Sequence, residues 1–170
     1  MLVTFKNRSN KLISRTRVVF LKRFARLMAC TLEIDRRINL IDLRLTKDWH
    51  GYYPKGEPLG GLIKLYHNKI VRIDLTRHWD TSLLMNKEAI IHELTHAKQL
   101  IEKRLVINRT RTEAKWLGKK VVTWKKFRVA RLNELPTKRS WAYTERLIPW
   151  EREVRTNVQK YKRVTWKQSA

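Results

Sequence analysis

The spacing of apolar residues along the chain changes period several times, and each change marks an element. From about residue 10 to 30, Phe20, Phe24, Leu27 and Met28 recur at helical spacing, which predicts an amphipathic basic helix with a core-facing stripe. Between Ile38 and Leu45 the pattern becomes an alternation, Ile38 and Leu40 around Asn39, then Ile41, Leu43 and Leu45 around Asp42 and Arg44. That is a strand with a slip in its middle. Trp49 to Gly61 holds four glycines and two prolines and reads as a loop. Leu62–Tyr66 and Ile70–Leu75 are rich in large or β-branched apolar residues and predict a hairpin turning at residues 66–69. Asn86 is placed to cap a helix over Lys87 to about Arg104. Glu113 to Trp124, with Gly118 at its centre, predicts a second hairpin, and residues 125–140 are basic and irregular. Pro149 suits the first turn of a helix running to about Tyr161, followed by a loose basic tail.

These elements predict one α+β domain over 1–170. A basic N-terminal helix occupies 1–32, a core 33–161 and a basic tail 162–170. The core is expected to be a small, mainly antiparallel sheet packed on the helix that starts near Lys87. A chain of 170 residues with 42% hydrophobic content can bury a sizeable core. No apolar stretch approaches the length needed to cross a membrane, and Val18–Leu21 is cut short by Lys22 and Arg23, which excludes a secretory signal core. The single cysteine, Cys30, rules out an intrachain disulfide and a cysteine-rich zinc site, and fits a reducing, cytoplasmic setting.

Charge adds a second theme. Thirty-nine Lys and Arg against 15 acids give a net charge of +24, and eight basic residues precede Glu33, the first acid. Such a surface attracts polyanions in a salt-dependent way, with nucleic acid the first candidate and an anionic membrane or acidic protein next.

The chemistry lies in His92-Glu93-Leu94-Thr95-His96. Histidines four apart on a helix share a face and can share one metal ion, and Glu93 stands where zinc peptidases keep their general base. Ala89, Ile90, Ile91, Leu94, Ala97, Leu100 and Ile101 make this helix strongly apolar, so its polar residues require partners. The metzincin continuation is absent, because Gln99 and Glu102 occupy the positions of its glycine and third histidine. His50, His67 and His78 all precede the motif. Downstream, Pro149-Trp150-Glu151-Arg152-Glu153 offers two acids that point about 200° apart on a helix, so one of them can face the metal. Glu153 is preferred over Glu151, because Asn157 shares its face and can orient His92 or His96; an acid at Glu151 also suits the helix dipole without any metal.

With these residues in place, the chain resembles zinc metallopeptidases of the gluzincin type, and in particular small, compact ones encoded in phage and bacterial genomes. The likeness rests on Ile90–Gln99, Lys115–Lys119 and Pro149–Val154, spans about residues 86–160, and leaves out the basic N-terminal segment. It implies a hydrolase using Zn2+ held by His92, His96 and a glutamate on a later helix. Glu93 activates water, and a Tyr, His or Arg stabilises the oxyanion, for which Tyr143 is the candidate. It also implies an edge strand near the metal that holds an extended peptide substrate; Asp74 and His78 frame the strand end considered for it. Val154 and Asn157 stand where the family usually has alanine and aspartate. Peptide or protein is then the substrate, with the basic surface holding the enzyme near nucleic acid. In the SprT-like enzymes that clear DNA-bound proteins a third histidine follows the motif, and none follows His96 here. The alternative function is a nucleic-acid-binding or polymerase-associated accessory protein that keeps the fold with a structural or vestigial zinc site. Trp116, Trp124, Trp141 and Trp150 are then candidates for base stacking, against their simpler reading as core or cleft walls. A third reading is a lysis component acting on peptide crossbridges of an anionic cell wall.

Overall fold

The computed structural model describes residues 1–8, 12–45, 61–65, 69–75, 83–107, 113–123 and 149–164. These hold β1 (Leu2–Asn7), α1 (Arg15–Thr31), β2 (Leu40–Leu45), β3 (Gly61–Leu65), β4 (Ile70–Leu75), α2 (Leu83–Ile101), β5 (Leu105–Ile107), β6 (Glu113–Trp116), β7 (Lys119–Thr123) and α3 (Pro149–Tyr161). His50, His67, His78, Trp124, Trp141, Tyr143, the loop after Trp49 and the basic stretch 125–140 lie outside the described residues.

Helices and strands both occur, as α+β implies, but the larger sheet corrects the expectation of mainly antiparallel pairing. Its order is β1-β2-β4-β3, with β1–β2 and β2–β4 parallel and β3–β4 alone antiparallel. The cause is α1. A helix between two neighbouring strands returns the chain to the end from which it set out, so the second strand must run parallel to the first. The reading of 1–32 as helix alone missed β1, where Val3 and Phe5 alternate with Thr4 and Lys6 too briefly to stand out against the helical stripe that follows. Helix α1 itself starts where Ser14 Oγ accepts from the Arg17 amide at 3.2 Å, and it buries Leu21, Phe24, Ala25, Met28 and Ala29. The predicted pairing of the two strands around residues 66–69 is present as β3–β4.

Register sorts the two faces of this sheet. Phe5, Leu43, Ile73 and Ile63 are cross-strand partners, as are Val3, Ile41 and Val71. Most of these join α1 and the apolar residues of α2 in one core. The alternate positions run from an apolar row, Leu2, Leu40 and Ile70, to polar ones that include Thr4, Asp42, Arg44, Arg72 and Asp74. Thr4 Oγ1 donates to Asp42 at 2.9 Å, Arg44 binds Asp42 at 2.6 Å, and Arg72 binds Asp74 at 2.8 Å. Asp74 is therefore paired within the sheet, and its strand β4 lies between β2 and β3; β3 is the outer strand, and α2 packs against it.

Helix α2 begins at Leu83, so Asn86 is a buried residue of its first turns and not its cap. The smaller sheet, β5-β6-β7, is antiparallel throughout. Leu117 and Gly118 link β6 to β7 with φ of 50° and 80°, the positive values that a tight two-residue hairpin requires and that glycine meets without strain. Leu105 and Ala114 of this sheet pack against Trp150 of α3. Helix α3 lies antiparallel to α2. At one end Lys87 Nζ donates to the Val164 carbonyl at 2.7 Å, and at the other Gln99 Nε2 donates to the Trp150 carbonyl at 3.0 Å. Among the described residues no helix is long and apolar enough to cross a membrane.

Candidate metal centre

Helix α2 carries His92 and His96 one turn apart, their rings edge-to-face with centroids at 4.7 Å and Nε2 atoms 3.1 Å apart. His96 is buried, whereas the His92 side chain keeps 35% of its surface exposed, so the pair opens to solvent on the His92 side. Glu93, between them in sequence, is buried.

The first turn of α3 supplies an acid. Glu151 Oε1 lies 3.4 Å from His96 Nε2 and Oε2 lies 3.8 Å from His92 Nε2. One ligand atom each from His92, His96 and Glu151 falls within 4.8 Å of the others, so the three side chains can hold a metal ion. Burial acts most strongly on His96 and lowers its pKa. The charge and hydrogen bond of Glu151, the charge of Glu93 and the contact with Gln99 outweigh it, and the ring is lifted to about 9.

Glu153, the acid preferred from sequence, is not among these three. It receives two bonds from Arg104, at 2.5 Å and 2.9 Å, and a third from Gln99 Nε2 at 3.2 Å. Burial raises its pKa, but Arg104, Gln99 and the charge of Lys98 prevail and hold the carboxyl below its usual range. The reason for the exchange is geometric. Trp150, Val154, Val158 and Tyr161 form the apolar stripe by which α3 docks. At ~100° per residue, Glu151 and Glu153 flank that stripe on opposite sides. Docked antiparallel on α2, the helix turns the Glu151 flank to the histidines and the Glu153 flank to Arg104, just before β5. Asn157 does reach α2, but it donates to Thr95 Oγ1 at 3.3 Å and not to either histidine.

Two residues of this assembly escaped the sequence reading. Gln99 Oε1 lies 3.0 Å from His96 Nδ1, and Arg104 anchors Glu153 while its guanidinium sits 5.5 Å from the Trp116 ring. A signal for Gln99 was present: it falls three residues after His96 and seven after His92, on their face of an otherwise apolar helix. Arg104 had none, because nothing local ties it to residue 153.

No family model, curated protein or solved structure matches the chain.

Proposed function

We propose that the chain is a zinc-dependent metallopeptidase in which His92, His96 and Glu151 hold the ion and Glu93 is the general base. The observation that carries this reading is the convergence of two imidazoles and one carboxylate beside a buried glutamate. Among the described residues His92, His96 and Glu151 form the group that can hold a metal ion, and a catalytic zinc takes three such protein ligands and a water. The spacing suits the ion. Zinc–nitrogen and zinc–oxygen bonds of about 2.0–2.1 Å place tetrahedral ligands roughly 3.3–3.4 Å apart. Here the two Nε2 atoms stand 3.1 Å apart, one Glu151 oxygen lies 3.4 Å from His96 and the other 3.8 Å from His92, and with one atom from each residue the three lie within 4.8 Å.

Held by His92, His96 and Glu151, zinc would supply a water of lowered pKa and a Lewis acid for a carbonyl. Glu93 takes the proton of the attacking water and delivers it to the leaving amine, a task that needs a carboxylate held close by a rigid helix. Exposure on the His92 side gives the substrate its approach. Tyr143 remains the candidate donor to the oxyanion. The test is elemental analysis of protein purified without chelators, with cleavage of an unstructured protein followed before and after chelation. About one zinc per chain, with activity lost on chelation and restored by zinc, supports the reading; a zinc-loaded chain with no hydrolysis of any peptide tried refutes it.

Proton competition sets a pH dependence. With His96 lifted to about 9 in the metal-free fold, an incoming ion must displace its proton at neutral pH. Zinc affinity is therefore expected to fall about tenfold for each pH unit below that value. Competition with a chromogenic chelator at several pH values checks the slope; an affinity that is flat with pH contradicts it.

A second reading concerns the surface. On α1 the outward side carries exposed Arg15, Arg23 and Arg26, and no acid occurs before Glu33. As a nucleic-acid-binding protein, with or without peptidase activity, the chain binds duplex DNA with an affinity that drops at least tenfold between about 50 and 200 mM salt. Fluorescence anisotropy measures it, and absence of binding at low salt removes this reading.

A further inference from the structure

We infer that Gln99 is a positioning residue that holds His96 with its Nε2 lone pair turned to the metal site, and that Glu153, fixed by Arg104, sets the orientation of the Gln99 amide. The inference rests on the metal reading above and adds to it the device that prepares one of its ligands.

The steps follow from hydrogen-bond chemistry. Gln99 is fully buried, so each of its polar atoms needs a partner. Its Nε2 faces the Trp150 carbonyl at 3.0 Å and Glu153 Oε2 at 3.2 Å. A carbonyl and an ionised carboxylate only accept, so the NH2 group must be the end that points at them. The amide oxygen is thereby turned to His96 Nδ1, 3.0 Å away. An oxygen of this kind only accepts, so Nδ1 must carry a proton, and the neutral ring then has its lone pair on Nε2. That nitrogen faces His92 Nε2 and Glu151. Ring orientation through the far nitrogen is the usual means by which a metal-binding histidine is prepared.

Glu153 completes the chain of causes. Without Glu153, the amide keeps the Trp150 carbonyl but loses one of the two acceptors that set its preference between its two flipped orientations. One of these turns the NH2 group to Nδ1, where the neutral ring would have to accept, and so places the proton on Nε2 and blocks the ligand. Arg104, with two bonds to Glu153 and one to Glu102 at 2.7 Å, holds that acceptor in place. The acid that the sequence offered as a ligand thus acts three residues away from the ion, through Gln99 and His96.

The test compares Gln99→Met, Glu153→Ala and Glu151→Ala with the wild type. Zinc is the probe, its affinity is read by chelator competition, and histidine side-chain 15N spectra are recorded without metal above pH 9, where the His96 ring is neutral and the two tautomers are distinguishable. The wild type is expected to show a slowly exchanging Nδ1–H of His96. Gln99→Met is expected to lose that signal and to bind zinc about 10–100-fold more weakly. Glu153→Ala is expected to weaken the signal and lower the affinity several-fold, and Glu151→Ala to bind no zinc. Retention of both signal and affinity in Gln99→Met overturns the inference. If Gln99→Met does not fold, unchanged signal and affinity in Glu153→Ala overturn the orienting chain instead. A wild type that binds no zinc refutes the metal reading, while the Nδ1–H signal, recorded without metal, still decides what Gln99 does.

Discussion

Glu93→Gln is expected to keep about one zinc per chain and to lose peptidase activity by about 10²–10⁴ in kcat, the usual worth of a positioned general base. The substitution keeps the shape of the side chain, which matters because Glu93 is 4% exposed on a helix whose neighbours Ile90, Ile91, Leu94 and Ala97 are fully buried. An amide cannot take the proton of the attacking water, so the chemical step fails while binding survives. Steady-state kinetics beside metal analysis separates the outcomes. Full activity in the zinc-loaded variant removes Glu93 from the mechanism, and loss of zinc assigns it to holding the site.

The second large effect is a contrast between two acids two residues apart. Glu151→Ala removes a member of the only cluster among the described residues that can hold a metal, and it should abolish stoichiometric zinc binding. Glu153→Ala should keep about one zinc per chain at saturating metal, yet lower stability by about 1–2 kcal/mol, since Arg104 loses a two-bond partner at a site only partly shielded from solvent. For a chain of this size that is a drop of roughly 2–8 °C in Tm. Calorimetry and elemental analysis on the two variants decide it. The reverse pattern, zinc lost with Glu153 and kept with Glu151, would overturn the assignment of ligands.

Much of the architecture was legible because it depends on short-range periodicity. The α1 stripe read from Phe20, Phe24, Leu27 and Met28, of which Phe24 and Met28 are buried and Phe20 and Leu27 partly so, the β3–β4 pairing, the turn at Gly118 and the start of α3 at Pro149 each follow from residues within a turn or two of one another. The direction of the larger sheet was not legible. Strand polarity depends on which strands become neighbours, and β1 was too short to announce that it pairs with β2 across α1.

Sequence by itself determined the candidate chemistry: a helix that brings His92 and His96 to one face with Glu93 between them, and a later helix with an acid on either flank of its apolar stripe. Those are properties of spacing along one helix, which the backbone geometry alone sets. Only the tertiary structure decided which acid meets the histidines. On an isolated helix either acid can face a metal, and local cues favoured Glu153; the antiparallel docking of α3 on α2, anchored by Trp150 against the smaller sheet, gives Glu151 to the imidazoles. Arg104, 49 residues from Glu153 in sequence, draws the other acid away, and a contact at that distance along the chain has no local signature.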